Sequence, residues 1–518
     1  MTPDPGHRHI LVLGDQLSST LGPVASADPT SSTVILIESA AWARRRRYHK
    51  QKLLLLYSAM RHYALELRSR GFEVLEYRVE AFEEGLERHL AAWPGAHIEL
   101  MEPAKHGLAE RLRTMVERAG GELRVLPNAL WLSDAVTFDQ WAGGRRTFRL
   151  EHWYRRERRR TGWLMDGDGQ PEGGSWNLDR ENRRSVPPGT RFTPPPLFPP
   201  DEWTHEVGAW VEQAFTDHPG RADAFGWPVT RADALLALQH FVEHRLRDFG
   251  PYQDAMLDGE RTLAHSLLSV PLNLGLLGAH EVCEAALAAY ADPERRGDPA
   301  HAIPLASIEG FIRQLLGWRE FLRHMYRRRM PAMAQVNALG HDGSLPGLYW
   351  TADTRMRCLG ESVRSVLETG HAHHISRLMV LGNWALLAGV DPRAVNAWFL
   401  EMFVDAFDWV VTPNVMGMSQ WADQSFTSKP YVSGGAYIDR MSDHCGHCPY
   451  DPRHSSGPDA CPFSSLYWDF IDRHADRLGG NARMGNAVRA WQRRDPDDRT
   501  RILERAASVR RMAAADEL

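Results

Sequence analysis

Five short apolar runs mark the first quarter of the chain, at residues 9–13, 34–38, 72–79, 98–102 and 122–126, and three of them are rich in Val or Ile. Between them lie longer stretches in which apolar side chains return every three or four positions, most clearly at residues 50–69 and 106–119. Strand signals alternating with helix signals predict a Rossmann-like α/β unit, a parallel sheet joined by crossover helices. Ligands of such sheets sit beyond the carboxyl ends of the strands, where Gly14, Asp15, Gln16 and Glu38 fall. No GxGxxG follows the first run, so the usual dinucleotide fingerprint is missing.

Past Asp201 the three-and-four spacing recurs at residues 232–249, 308–327, 356–368, 375–387 and 392–407, which predicts a large all-α unit. Between the two regimes, residues 165–200 are dominated by Gly, Pro, Asp and Asn, the composition of a surface connector. Its middle, Trp176 to Arg184, is too sticky and too basic for a passive spacer. The chain is therefore divided into an α/β unit at 1–135, a connector at 136–200 and a helical unit at 201–518.

Lys and Arg number 61 against 66 Asp and Glu, a formal charge of −5, so a nucleic-acid partner would need a local basic face. Arg44 to Arg47, Arg155 to Arg160, Arg183 and Arg184 are the candidates; the first two runs read more simply as solvated helix faces. The opening MTPDPGHRHI lacks the charged-then-apolar design of a signal peptide, and the most apolar window, 378–390, is short and interrupted by Gly382 and Asn383. A cytoplasmic protein without a membrane span is expected.

Five cysteines in 518 residues do not make a disulfide scaffold. Cys283 reads as a small core residue. The other four form a pattern, Cys445-x2-Cys448-x12-Cys461 with Cys358 far upstream. Four thiolates suit either an iron–sulfur cubane or a tetrahedral zinc. The prolines after Cys448 and Cys461 and the distant fourth ligand favour the cluster; His444 and His447 stand as ligands under the zinc alternative.

Residues 261–275, RTLAHSLLSVPLNLG, set hydroxyls and a histidine ahead of an apolar helix start. Such a segment offers donors to a diphosphate, and a plain capped helix explains it equally. It resembles the loop that clasps the FAD phosphates in the photolyase/cryptochrome family, and Gly317-Trp318-Arg319-Glu320-Phe321 resembles that family's flavin signature. With the four cysteines, the blocks at 372–379, 413–420 and 429–438 are similar to the iron–sulfur bacterial branch, and the resemblance runs essentially end to end.

That resemblance implies an antenna unit, a helical FAD unit with a C-terminal four-iron (4Fe-4S) cluster on Cys358, Cys445, Cys448 and Cys461, and a 6,7-dimethyl-8-ribityllumazine antenna at Gly14, Asp15, Gln16 and Glu38. It assigns FAD contacts to Tyr252, His265, Ser266, Leu267, Leu268, Ser269, Gln314, Trp318, Arg319, Arg377, Asp405 and Asn414. The partner it implies is damaged duplex DNA with the lesion flipped out, bound by a monomer. Repair of (6-4) photoproducts, the reaction of that branch, needs an electron from excited reduced flavin and a proton. His374 is taken as the proton donor with His373 in support, and Tyr431 and Tyr437 lie near the lesion. Trp350 and Trp398 match electron-transfer tryptophans, but Phe399, beside Trp398, is hard to oxidise. Asp179 and Arg183 fall on the connector's lesion contacts, with a divalent cation such as Mg2+ expected at Asp179. Val411 stands where many photolyases place an asparagine opposite flavin N5, and it offers no hydrogen bond. Two other readings stay open: a signalling cryptochrome with the same cofactors, and a non-photochemical, primase-like iron–sulfur nucleic-acid binder.

Overall fold

A computed structural model describes residues 7–299 and 301–518. Its five strands are β1 (Arg8–Val12), β2 (Ser32–Ser39), β3 (Glu73–Val79), β4 (His97–Met101) and β5 (Glu122–Leu126). They form one parallel sheet in the order β3-β2-β1-β4-β5. β2 is buried along its whole length, as expected of a parallel strand covered on both faces. Alternation along β1 and β2 sends Ile10, Val12, Val34 and Leu36 to one face and Leu11, Leu13, Ile35 and Ile37 to the other. The second face is closed by the helices Phe82–Ala92 and Leu108–Arg118 through Leu86, Leu90, Leu112 and Val116.

The first face continues into the helical part without a break. The helix Lys50–Ser69 buries 15 of its 20 residues, because the sheet packs on one side and later helices on the other. Strand order reverses between β1 and β4, so the crevice at their carboxyl ends is the sheet's natural binding point. There the loop after β1 meets the helical part: Leu17 donates its N–H to the carbonyl of Leu274 at 2.8 Å. Gly275, at φ +84°, allows this approach, since a Cβ there would stand 2.9 Å from the Leu17 nitrogen.

All elements after β5 are helical, and a second core gathers around Trp384, Trp398, Leu359 and Phe470. Among the described residues no helix is long and apolar enough to cross a membrane. Three expectations about element extent change. The region expected as a single helix over 232–249 breaks at Arg245 into Arg231–His244 and Leu246–Tyr252, where the buried guanidinium donates to Leu263 O at 2.8 Å. The helix expected over 392–407 ends at Met402; its apolar period runs on because Phe403, Val404 and Ala406 of the turn after it are also buried. The stretch 136–200 carries the helices Ala135–Ala142 and Leu150–Thr161 before it becomes irregular.

Candidate active site

Three helices of the C-terminal part widen into π-helical turns, Arg313–Arg319, Ser376–Gly382 and Asn414–Ser419, a feature often found at functional sites. Within each, most residues are packed away and two side chains are left partly open: Gln314 and Trp318, Arg377 and Leu378, Asn414 and Met418. The last two turns press together so closely that a Cβ on Gly382 would lie 2.1 Å from Ser419 Oγ. Four of these six open residues, Gln314, Trp318, Arg377 and Asn414, are positions that sequence reading assigned to FAD. Arg319, the fifth such position on these turns, departs: it is buried against Trp131, 4.1 Å from the ring centroid, and donates to Leu130 O. It ties the sheet unit to the helical one, and burial pushes its pKa down to about 10.

A latch stands beside the turns. Arg377 grips Asp405 through both guanidinium nitrogens, at 2.9 and 3.1 Å, and Ser269 Oγ donates to the same carboxylate at 2.7 Å. Despite burial, these partners hold the Asp405 carboxyl down at about 2, so it is ionised at neutral pH. Asn273 secures the Asp405 carbonyl at 2.9 Å. Leu267 takes φ +57°, which turns the chain sharply between Ser266 and Ser269 and leaves those side chains partly open. The ring of Tyr252 is met edge-on by Phe192 of the connector at 5.4 Å.

The histidines divide. His374 is exposed, with Nε2 3.5 Å from Asp254 Oδ1. His373 is buried, its Nε2 shares a 3.2 Å hydrogen bond with Ser376 Oγ, and burial pushes its pKa well below the usual imidazole range. His265 stacks on His373 at 4.5 Å and 15°, with its nitrogens 3.0 Å from the carbonyls of Thr262 and Gln253. Donor atoms of the three imidazoles lie within 4.8 Å of one another. Rings stacked face to face keep their in-plane lone pairs from converging on one ion, so this group is not read as a metal site.

From His374 a line of alternating charges runs into the connector. Arg183 lies 3.7 Å from Asp254 and pairs closely with Asp179, Asp179 takes Arg313 at 3.3 Å, and Arg313 meets Glu309 at 3.2 Å. Tyr431 and Tyr437 border this line; burial first, then nearby carboxylates, keep both phenols protonated. The run Arg155 to Arg160 lies elsewhere. Arg155, Arg156 and Arg160 are ion-paired, Arg158 is buried against main-chain carbonyls, and Arg159 stacks on Trp176 at 4.5 Å. It anchors the start of the connector.

The four cysteines meet. Cys358, Cys445, Cys448 and Cys461 line one small cavity with His444, Tyr450 and Gly435, and a Cβ on Gly435 would crowd Cys461 Sγ to 3.0 Å. Burial, then repulsion among the thiols, pushes Cys358 up strongly and Cys445 to about 12; burial pushes Cys461 to about 11. Such a set becomes thiolate only when a cation arrives. Cys283 is distant in the core and fully buried.

A family model described as deoxyribodipyrimidine photo-lyase-related protein matches residues 10–227. A (6-4) photolyase of Agrobacterium fabrum is 41% identical over 509 residues, which cover 97% of this chain and 99% of that protein. The chain belongs to the photolyase/cryptochrome family. Among solved structures, a bacterial class III photolyase from Agrobacterium tumefaciens shares the fold at a TM-score of 0.56 and 16% identity, covering 100% of this chain and 98% of that one. A cryptochrome of Synechocystis sp. PCC6803 does so at 0.56 and 14%, covering 99% and 100%. Membership makes this a DNA photolyase and implies FAD as its cofactor, and the three wide turns with the Arg377–Asp405 latch supply a partly open polar surface for one.

The switch-point crevice of this photolyase holds Asp15 and Gln16, two of the positions expected to meet an antenna. Gln16 Nε2 bonds the carbonyls of Met101 and Glu102 at 2.9 and 3.2 Å, leaving its Oε1 without a partner. Burial raises Asp15 to about 6, with Lys105 opposing. Arg61 holds both carboxylate oxygens of Glu38, at 3.0 and 3.2 Å. Gly14 packs on Leu56. Trp398 is fully buried, its indole N–H bonds Tyr349 O at 3.1 Å, and Phe399 lies 5.4 Å away; Trp350 is half-buried under Arg47. Sequence reading missed Asp254, Arg313 and the buried Lys52, which donates to Leu400 O and Ala406 O at 2.6 Å. Their roles lie in pairings across the chain, which no local pattern announces.

Proposed function

We propose that the protein uses light to repair (6-4) pyrimidine–pyrimidone photoproducts in DNA, with FAD on the three wide turns, a four-iron cluster on the cysteines and a lumazine antenna at the carboxyl ends of β1 and β4. The observation that carries this reading is the exposed His374, held at 3.5 Å by Asp254 at the head of a charge line through Arg183 and Asp179. When bound, reduced FAD supplies the electron that opens the lesion.

The chain's own residues do the rest. His374 Nε2, which faces Asp254 Oδ1 at 3.5 Å, holds the proton given to the lesion. His373 stays neutral because it is desolvated, so it braces the pocket through its stack with His265 instead of donating. Tyr431 and Tyr437 wall the space for a flipped-out base. Arg183 stands between Asp179 and Asp254, so a divalent cation would replace it and does not fit beside it. The Arg377–Asp405 latch orients the flavin side. The prolines after Cys448 and Cys461 and the distant Cys358 favour a cluster over zinc in the cavity that the four thiols line. The protein is read as a monomer divided at about residues 135 and 200.

His374→Ala should lower repair of a (6-4) oligonucleotide by about 10²–10⁴-fold, with DNA affinity and flavin content unchanged. Repair at the parent rate would remove His374 from the mechanism.

A further inference from the structure

Two loops border the lesion side of the pocket beyond Tyr431. One, residues 420–434, is irregular and carries Lys429; the other, residues 480–484, carries Arg483. Asn481 ties them by donating Nδ2 to Ser428 O at 2.8 Å. Lys429 is half-buried, and its pKa is lowered by burial first, then by Arg483 and Arg183, with no carboxylate opposing. Its ammonium has no ion pair among the described residues and sits 5.8 Å over the Tyr431 ring. The exposed guanidinium of Arg483 also has no acidic partner among the described residues. Several arginines near the site are paired: Arg183 with Asp179, Arg313 with Glu309 and Arg377 with Asp405.

Like charges held together without a counterion cost stability, and a folded chain keeps them where an anion completes the set. We infer that Lys429 and Arg483 form a phosphodiester-binding clamp for the DNA backbone beside the extruded base. The tied loops hold the clamp next to Tyr431, so one element walls the lesion and the next grips the strand. Contacts of this kind fix register and carry no sequence or lesion information.

The test is a salt series of binding to one duplex, undamaged or carrying a (6-4) lesion, read by fluorescence anisotropy with the holoprotein. Lys429→Gln and Arg483→Gln should each reduce the slope of log affinity against log salt by about 0.9, and the double variant by about 1.8. The loss should be equal on both duplexes. Arg453→Gln, which removes an exposed arginine paired with Asp451, is the control and should leave the slope alone. Slopes equal to the control, or a loss confined to damaged DNA, would overturn the clamp. Because His374 is untouched in these variants, that result would leave the repair reading standing.

Discussion

Asp405 shows how one side chain can be essential in two ways. Its carboxylate satisfies Arg377 and Ser269 at once, so Asp405→Asn leaves a guanidinium without its counter-charge. Losing one partner of a buried ion pair costs about 3–5 kcal/mol; the Arg377 side chain keeps 21% exposure, so the lower end is expected. Purified Asp405→Asn should show a lower thermal midpoint and a reduced ratio of flavin to protein absorbance. Asp15 gives a pH signature. Burial raises it in the folded state to about 6, above its unfolded value, so the folded chain holds more protons between about pH 4 and 6. Its contribution to stability therefore falls as pH rises through that window. Asp15→Asn should flatten the fall, as a plot of thermal midpoint against pH would show. At this scale motif blocks were readable, as with His373, His374 and the cysteines, whereas Asp254 was not, since its meaning comes from standing 3.5 Å from His374.

Elements were legible where a short apolar run or a three-and-four spacing stood out from its polar flanks. The five strands and the helix Lys50–Ser69 match the apolar pattern within a residue or so. The helical part hid its most informative features, because a π-helical turn adds a residue without disturbing a run that is apolar on nearly every face. Arg245 and Met402 end helices for tertiary reasons that spacing cannot carry. The helix Lys50–Ser69 also joins the two units, through Lys52 and its two carbonyl acceptors. Lys52→Met leaves both buried carbonyls unpaired, at about 1–3 kcal/mol each. A lower thermal midpoint and faster amide exchange at residues 400–406 should follow; unchanged exchange there would show that Lys52 does not hold the units together.

Across the whole molecule, the crevice at the sheet's reversal, the three wide turns, the connector's line of charges and the cavity of four thiols share one frame. With Cys358 buried in the same core as Trp384 and Trp398, loss of the proposed cluster should loosen the packing beside the wide turns as well. Cys358→Ser should therefore lose iron, lower the thermal midpoint and release flavin. Iron loss with a fully retained flavin and midpoint would make the thiol cavity an independent appendage. The measurement closest to the central claim is product analysis of single-lesion oligonucleotides, one with a (6-4) photoproduct and one with a cyclobutane dimer, incubated with the reduced holoprotein in light and in darkness. The account predicts restored pyrimidines from the (6-4) substrate in light only. No restoration from the (6-4) substrate in light, or equal restoration in darkness, would contradict it.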